Sequence, residues 1–151
     1  MLGAVGELAG ALAVVASLIY VGRQIKQNTA VARAEAYRDI SLRYSQHAVE
    51  WADPAFLPVY ARLFDGAAVD DLSREEGLQA AAYIEAMLRI YETVFRQVEA
   101  GVLDQEAFQN LGKTLFTFPL FSAVWGQLQQ EFDPDFVNFM EVRYSIVRGE
   151  A

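Results

Sequence analysis

With 151 residues, the chain has room for one ordinary domain, or for a membrane span and a smaller domain. Apolar residues make up 54% and aromatic residues 13%, enough to fill a core and to exclude general disorder. The net charge of -8 is uneven, with residues 1–48 at +2 and the acidic remainder at -10, so phosphate backbones are repelled and no nucleic-acid partner is expected.

Cysteine is absent, which removes disulfides, thiolate metal sites and thiol nucleophiles together. Residues 2–22 carry one charge, Glu7, and no proline. As a helix they would extend about 30 Å, the thickness of a bilayer's hydrocarbon core. Residues 8–21 are apolar or small on every side, whereas an interfacial helix would show a charged face. A signal peptide would need a basic start, and no Lys or Arg precedes the run. The pattern predicts a transmembrane helix over 2–22. Arg23, Lys26, Arg33, Arg38 and Arg43 follow it, so the positive-inside rule places the N-terminus outside and the C-terminal domain in the cytoplasm.

Tyr20, Arg23 and Lys26 stand where residues of one membrane interface belong, and Glu7 stands near the other. Gly6 and Gly10 form a G-x-x-x-G pair, and Ala9, Ala13 and Ser17 repeat small residues every fourth position. Gly6, Gly10, Ala13 and Ser17 are the expected positions for close helix packing within the membrane.

Residues 23–52 contain neither proline nor glycine, which predicts a juxtamembrane helix continuing the span, with a bend near Asn28 and Thr29. Its expected apolar stripe is Ile25, Tyr37, Ile40, Tyr44 and Ala48. Residues 53–151 are expected to form a helical cytoplasmic domain. Asp53 and Pro54 give an N-cap and first helical position for a helix carrying Phe56, Leu57, Tyr60, Leu63 and Phe64, ended by Asp65 and Gly66.

Ser73 and Glu76 make a capping box, and Gly101 is a helix stop. Between them Ile84, Leu88, Tyr91, Phe95 and Val98 form a heptad stripe, expected to be an interaction face of the body. Glu85, Arg89, Glu92, Arg96 and Glu99 read as a ladder of ion pairs rather than as acid–base catalysts. Asp104 is expected to cap a helix carrying Phe108, Leu111 and Leu115. Pro119 should open another with Phe121, Val124, Trp125 and Leu128. Asp133 and Pro134 should start the last, with Phe136, Phe139, Met140 and Val147 inward. Alternating β-branched runs are missing, so the fold class is all-α: one transmembrane helix extended into a compact helical bundle.

His47, the only histidine, lacks the paired spacing of a zinc helix or a di-iron bundle, and reads as a structural or surface residue. The glycines near the N-terminus do not follow a strand and so make no phosphate loop. No catalytic residue, cofactor-binding residue or metal ligand emerges.

The segment SLIYVGRQIKQNT (residues 17–29), with the alanine-rich polar helix after it, resembles a family of small uncharacterised bacterial membrane proteins that have one N-terminal span and a helical body. The stretch YETVFRQVEAGVLD (residues 91–104) is similar to that family's central helix and its glycine-ended turn. The resemblance implies a bacterial cytoplasmic-membrane setting and brings no activity with it. The expectation is a non-enzymatic, membrane-anchored assembly protein, bound to lipid and either homo-oligomeric or a small subunit of a larger membrane complex. Two alternatives stay open: an oligomeric channel with Glu7 ringing its mouth, and a membrane-tethered ligand-binding domain.

Overall fold

The computed structural model describes residues 2–144, except the side chains of Leu2, Ala4, Val5, Leu8, Ala9 and Asn110. The described residues are helical, with no strand among them. The first helix, α1 (Leu2–Trp51), runs for 50 residues, about 75 Å, because nothing in the sequence interrupts it. Helical structure continues through Asn28 and Thr29, where a bend was expected; the Thr29 hydroxyl is absorbed by donating to the Ile25 carbonyl, 3.0 Å away. Among the described residues, no helix is long and apolar enough to cross a membrane.

Among the described residues of α1, those that pack lie in its second part. Ala36, Ile40 and His47 are buried, and Tyr37, Tyr44 and Trp51 are half-buried against the same core. The stripe is therefore 36, 40, 44, 47 and 51. Ile25 is exposed because the body begins only near Arg33, and Ala48 is exposed because it falls one position past the buried line on which His47 lies.

The second helix, α2 (Leu57–Phe64), begins later than Asp53 and Pro54 suggest. A helix running on from Pro54 would need an amide at Pro58 and would drive the Pro58 ring into the Pro54 carbonyl. Asp53 instead closes a turn, its carboxylate accepting from the Ala55 amide at 2.8 Å. The third helix, α3 (Arg74–Glu99), has the expected capping box: the Ser73 amide donates to Glu76 at 2.7 Å, and the Glu76 amide donates back to the Ser73 hydroxyl. Gly66 and Gly101, with φ of 83° and 69°, take the left-handed turns that end α2 and α3. After α3 the Val102 amide reaches back to the Gln97 carbonyl, and the Gly101 amide to Val98.

The helix expected after Asp104 does not form. Its place is taken by two 3₁₀ segments, Gln105–Asn110 and Thr114–Thr117, separated by Gly112. Asp104 holds the N-cap position of the first, but its side chain makes no capping bond, because its carboxylate accepts from the Tyr37 hydroxyl at 3.2 Å and pairs with Arg33 at 3.8 Å. Phe108, Leu111 and Leu115 are nevertheless buried as expected. Two further helices, α4 (Pro119–Leu128) and α5 (Pro134–Tyr144), start at their prolines, and Phe121, Val124, Trp125, Phe136 and Met140 point inward. Val147 lies outside the described residues.

The body is organised around α3. The second part of α1, α2, α4 and the 3₁₀ segment 105–110 pack on it, and α5 joins through Phe136, whose ring lies 5.6 Å from that of Phe95. Ile84, Leu88, Tyr91 and Val94 are fully buried there, and Phe95 nearly so. This corrects the expected role of the stripe Ile84, Leu88, Tyr91, Phe95 and Val98. Its partners are the chain's own helices, so it offers no free face to another protein. The charged side of α3 behaves as an ion-pair ladder. Arg89 meets Glu85, Glu92 and, from beyond α4, Glu131, while Arg96 meets Glu99 and Asp133.

Candidate functional site

Two features of α1 are not explained by the packing of the body. The first is its opening part. Leu12, Val14, Val15, Leu18, Ile19, Tyr20 and Val21 are all exposed, with Leu18 at 67% and Leu12 at 62%. Large apolar side chains surround the helix there, and among the described residues none covers them. A soluble surface does not ordinarily carry so long an apolar band. Arg23 and Lys26 follow it, also exposed.

The small residues occupy one side of this band. A Cβ placed on Gly6 or Gly10 would meet nothing within 4 Å, so neither glycine is required by the chain's own packing. Ala13, Val14, Ser17, Leu18 and Val21 line a shallow groove along the helix. Glu7 is exposed. The side chain of Ala9 lies outside the described residues.

The second feature is a cleft of about 430 Å³ at the other end of α1, lined by His47, Glu50, Trp51, Asp53, Phe56 and Tyr83 among others. Helical spacing places His47 and Trp51 on one side of α1, and the turn after Asp53 brings the Phe56 ring to 5.8 Å from that of Tyr83. Tyr83 rises from α3 to complete the wall. The His47 ring stacks on Tyr83, with centroids 5.3 Å apart and planes 12° from parallel. Trp51 stands edge-on to both, at 5.1 Å and 4.7 Å. Burial, aided by the neighbouring Tyr60 and Tyr44 phenols, pushes the Tyr83 hydroxyl far above the usual phenol range, so it stays uncharged.

His47 is only 8% exposed, and its Nδ1 lies 3.1 Å from the Glu50 carboxylate. Because a carboxylate only accepts, this contact assigns the proton to Nδ1. Among the described atoms neither the buried Nε2 nor the Trp51 indole N–H has a partner. The sequence reading of His47 as an isolated structural residue missed its company. The available signal was the spacing of His47, Trp51 and Phe56, three ring side chains within ten positions.

The remaining site residues fall apart spatially. The positions expected to pack or anchor in a membrane all lie on the bare part of α1, well before Arg33, where the body starts. The stripe on α3 is internal. Among the described residues no group of three or more His, Asp and Glu side chains is placed to hold a metal ion. Compared with family models, with curated proteins and with solved structures, the chain matches none.

Proposed function

We propose that the chain is a membrane-anchored assembly protein: residues 2–22 cross the bilayer and pack against other spans, and the helical body stands off the surface on the continuation of α1. The observation that carries this reading is the uncovered apolar band at residues 11–21, at the head of a helix whose packing begins only near Arg33. Those eleven positions make about 16 Å of helix, roughly half a bilayer core and too little to cross one alone; the sequence supplies the other half in residues 2–10, most of whose side chains lie outside the described residues. From Arg23 to Arg33 the helix rises about 15 Å more, enough to carry the body through the headgroup layer.

The flanking cations support an orientation with the N-terminus outside and the body in the cytoplasm, in a bacterial cytoplasmic membrane as the family resemblance implies. The open positions beside Gly6 and Gly10 support association: a partner helix can approach there without displacing anything of this chain. That partner is a second copy or another membrane subunit.

The test is extraction of membranes holding the full-length protein. It should remain in the pellet through high salt and alkaline carbonate, since burial of some twenty apolar residues is effectively irreversible. Release by salt alone would reduce the contact to Arg23 and its basic neighbours and overturn the anchor.

A further inference from the structure

We propose that the aromatic cleft at the end of α1 binds a small organic cation of the substituted-ammonium class. The inference is independent of the anchor, because the cleft is built wholly from the packed body. Its volume of about 430 Å³ lies within the range of small-molecule sites. Three of its lining side chains are aromatic rings, Trp51, Phe56 and Tyr83, and aromatic faces attract cations through their negative quadrupole.

The charges around it have one sign. Glu50 and Asp53 line the cleft, and no Lys or Arg does. The adjoining groove holds Arg43 and Arg89, but Arg43 is paired with Asp39, and Arg89 with Glu85, Glu92 and Glu131. Asp53 uses one carboxylate oxygen to fix the Ala55 amide and leaves the other uncommitted there. Glu50 touches His47, yet its side chain is 74% exposed, so it can still face a ligand. An anion would meet two carboxylates. An uncharged apolar ligand would strip water from those carboxylates without compensating them. A cation bearing methyl or methylene groups suits both the rings and the acids.

The experiment is calorimetric titration of the full chain, in non-ionic detergent at constant ionic strength, with choline, with its uncharged isostere carrying carbon in place of nitrogen, and with acetate. Choline should bind saturably, quench Trp51 fluorescence, and bind at least about tenfold more tightly than the isostere, while acetate should not bind. Glu50→Gln combined with Asp53→Asn should weaken choline about tenfold with unchanged circular dichroism, because Asn keeps the acceptor for Ala55. Trp51→Leu should abolish the quench. Absence of saturable choline binding, equal affinity for the isostere, or undiminished affinity in the Glu50 and Asp53 double variant would each overturn the proposal. The last two readings stand even if Trp51→Leu fails to fold.

Discussion

The hydroxyl of Tyr91 donates a 2.7 Å hydrogen bond to the carbonyl of Gly112, which ties the irregular segment between α3 and α4 to the centre of the core. From the other side the Tyr44 hydroxyl of α1 sits where a Cβ on Gly112 would be, while the Tyr44 ring carbon behind it would lie 3.6 Å away, at ordinary contact distance. Gly112→Ala should therefore cost about 1–3 kcal/mol through overpacking. Adding Tyr44→Phe removes only the oxygen and should restore most of that loss. Denaturant melts of the two variants decide the matter: a double variant no more stable than Gly112→Ala would show that the collision is not the cause. Tyr91→Phe, by contrast, should cost about 1 kcal/mol, the worth of one buried hydrogen bond, in either background.

Stability should fall at both ends of the pH scale for separable reasons. Hydrogen bonds from Arg96, and then from the Asp135 amide, hold the Asp133 carboxyl below its usual range; the Ser73 amide and then Arg62 do the same for Glu76. A carboxylate with a lowered folded pKa stabilises the fold above its unfolded value, and the contribution is lost as pH falls through the folded one. Asp133→Asn should therefore flatten part of the acid limb of a melting-temperature profile and leave the neutral region unchanged in slope. Tyr83 and Tyr91 have raised values, chiefly from burial, so stability should begin to fall as pH rises past about 10, where the unfolded phenols ionise first. A profile that stays level to strongly alkaline pH would contradict the burial of those hydroxyls.

The helical core was legible because its signals are local. Ser73 with Glu76, Gly101, Pro119 and Pro134 each act within one turn of themselves, and each marks a helix end in the structure. Two errors came from partners distant in sequence. Asp104 has the chemistry of a cap, but Tyr37 and Arg33, both far earlier in the chain, claim its carboxylate. The stripe through Ile84 and Leu88 announces an apolar face but not its occupant, which is this chain's own α1, α2 and α4. The α2 boundary failed for a local reason, since Pro58 resets the helix that Pro54 would have opened. Of the cleft, only the clustering of rings near His47 was readable; Tyr83 joins it through the fold.

A contrast between two large apolar residues separates the body from the bare helix. Trp125 has no exposed surface and stacks with Phe121 and Phe132. Trp125→Ala should cost about 3–5 kcal/mol, a large part of the stability of a domain this size. Leu18 is 67% exposed and touches no core, so Leu18→Ala should leave the melting of the body unchanged. A chain starting at Ala30, which keeps Arg33 and its contacts to Val102 and Asp104, should melt like the full-length body. If it is disordered, residues before Ala30 supply part of the core.

Association of the anchor can be tested without disturbing the fold. A side chain at Gly10 meets nothing of this chain, so Gly10→Ile adds bulk to the helix at no packing cost to the folded body. If spans approach each other along Gly6, Gly10, Ala13 and Ser17, that bulk should hold the backbones apart and shift the protein–detergent complex toward a smaller mass. Glu7→Gln lies beside the same face but removes only charge, and should leave the mass nearly unchanged. Under the channel reading it would instead alter conductance in reconstituted bilayers, where the assembly reading expects no current from either form. Equal oligomer mass before and after Gly10→Ile would take the small-residue face out of the interface. Because the α3 stripe is already filled, the next candidate for association would be the side of α1 that carries the exposed Leu12, Val15 and Ile19.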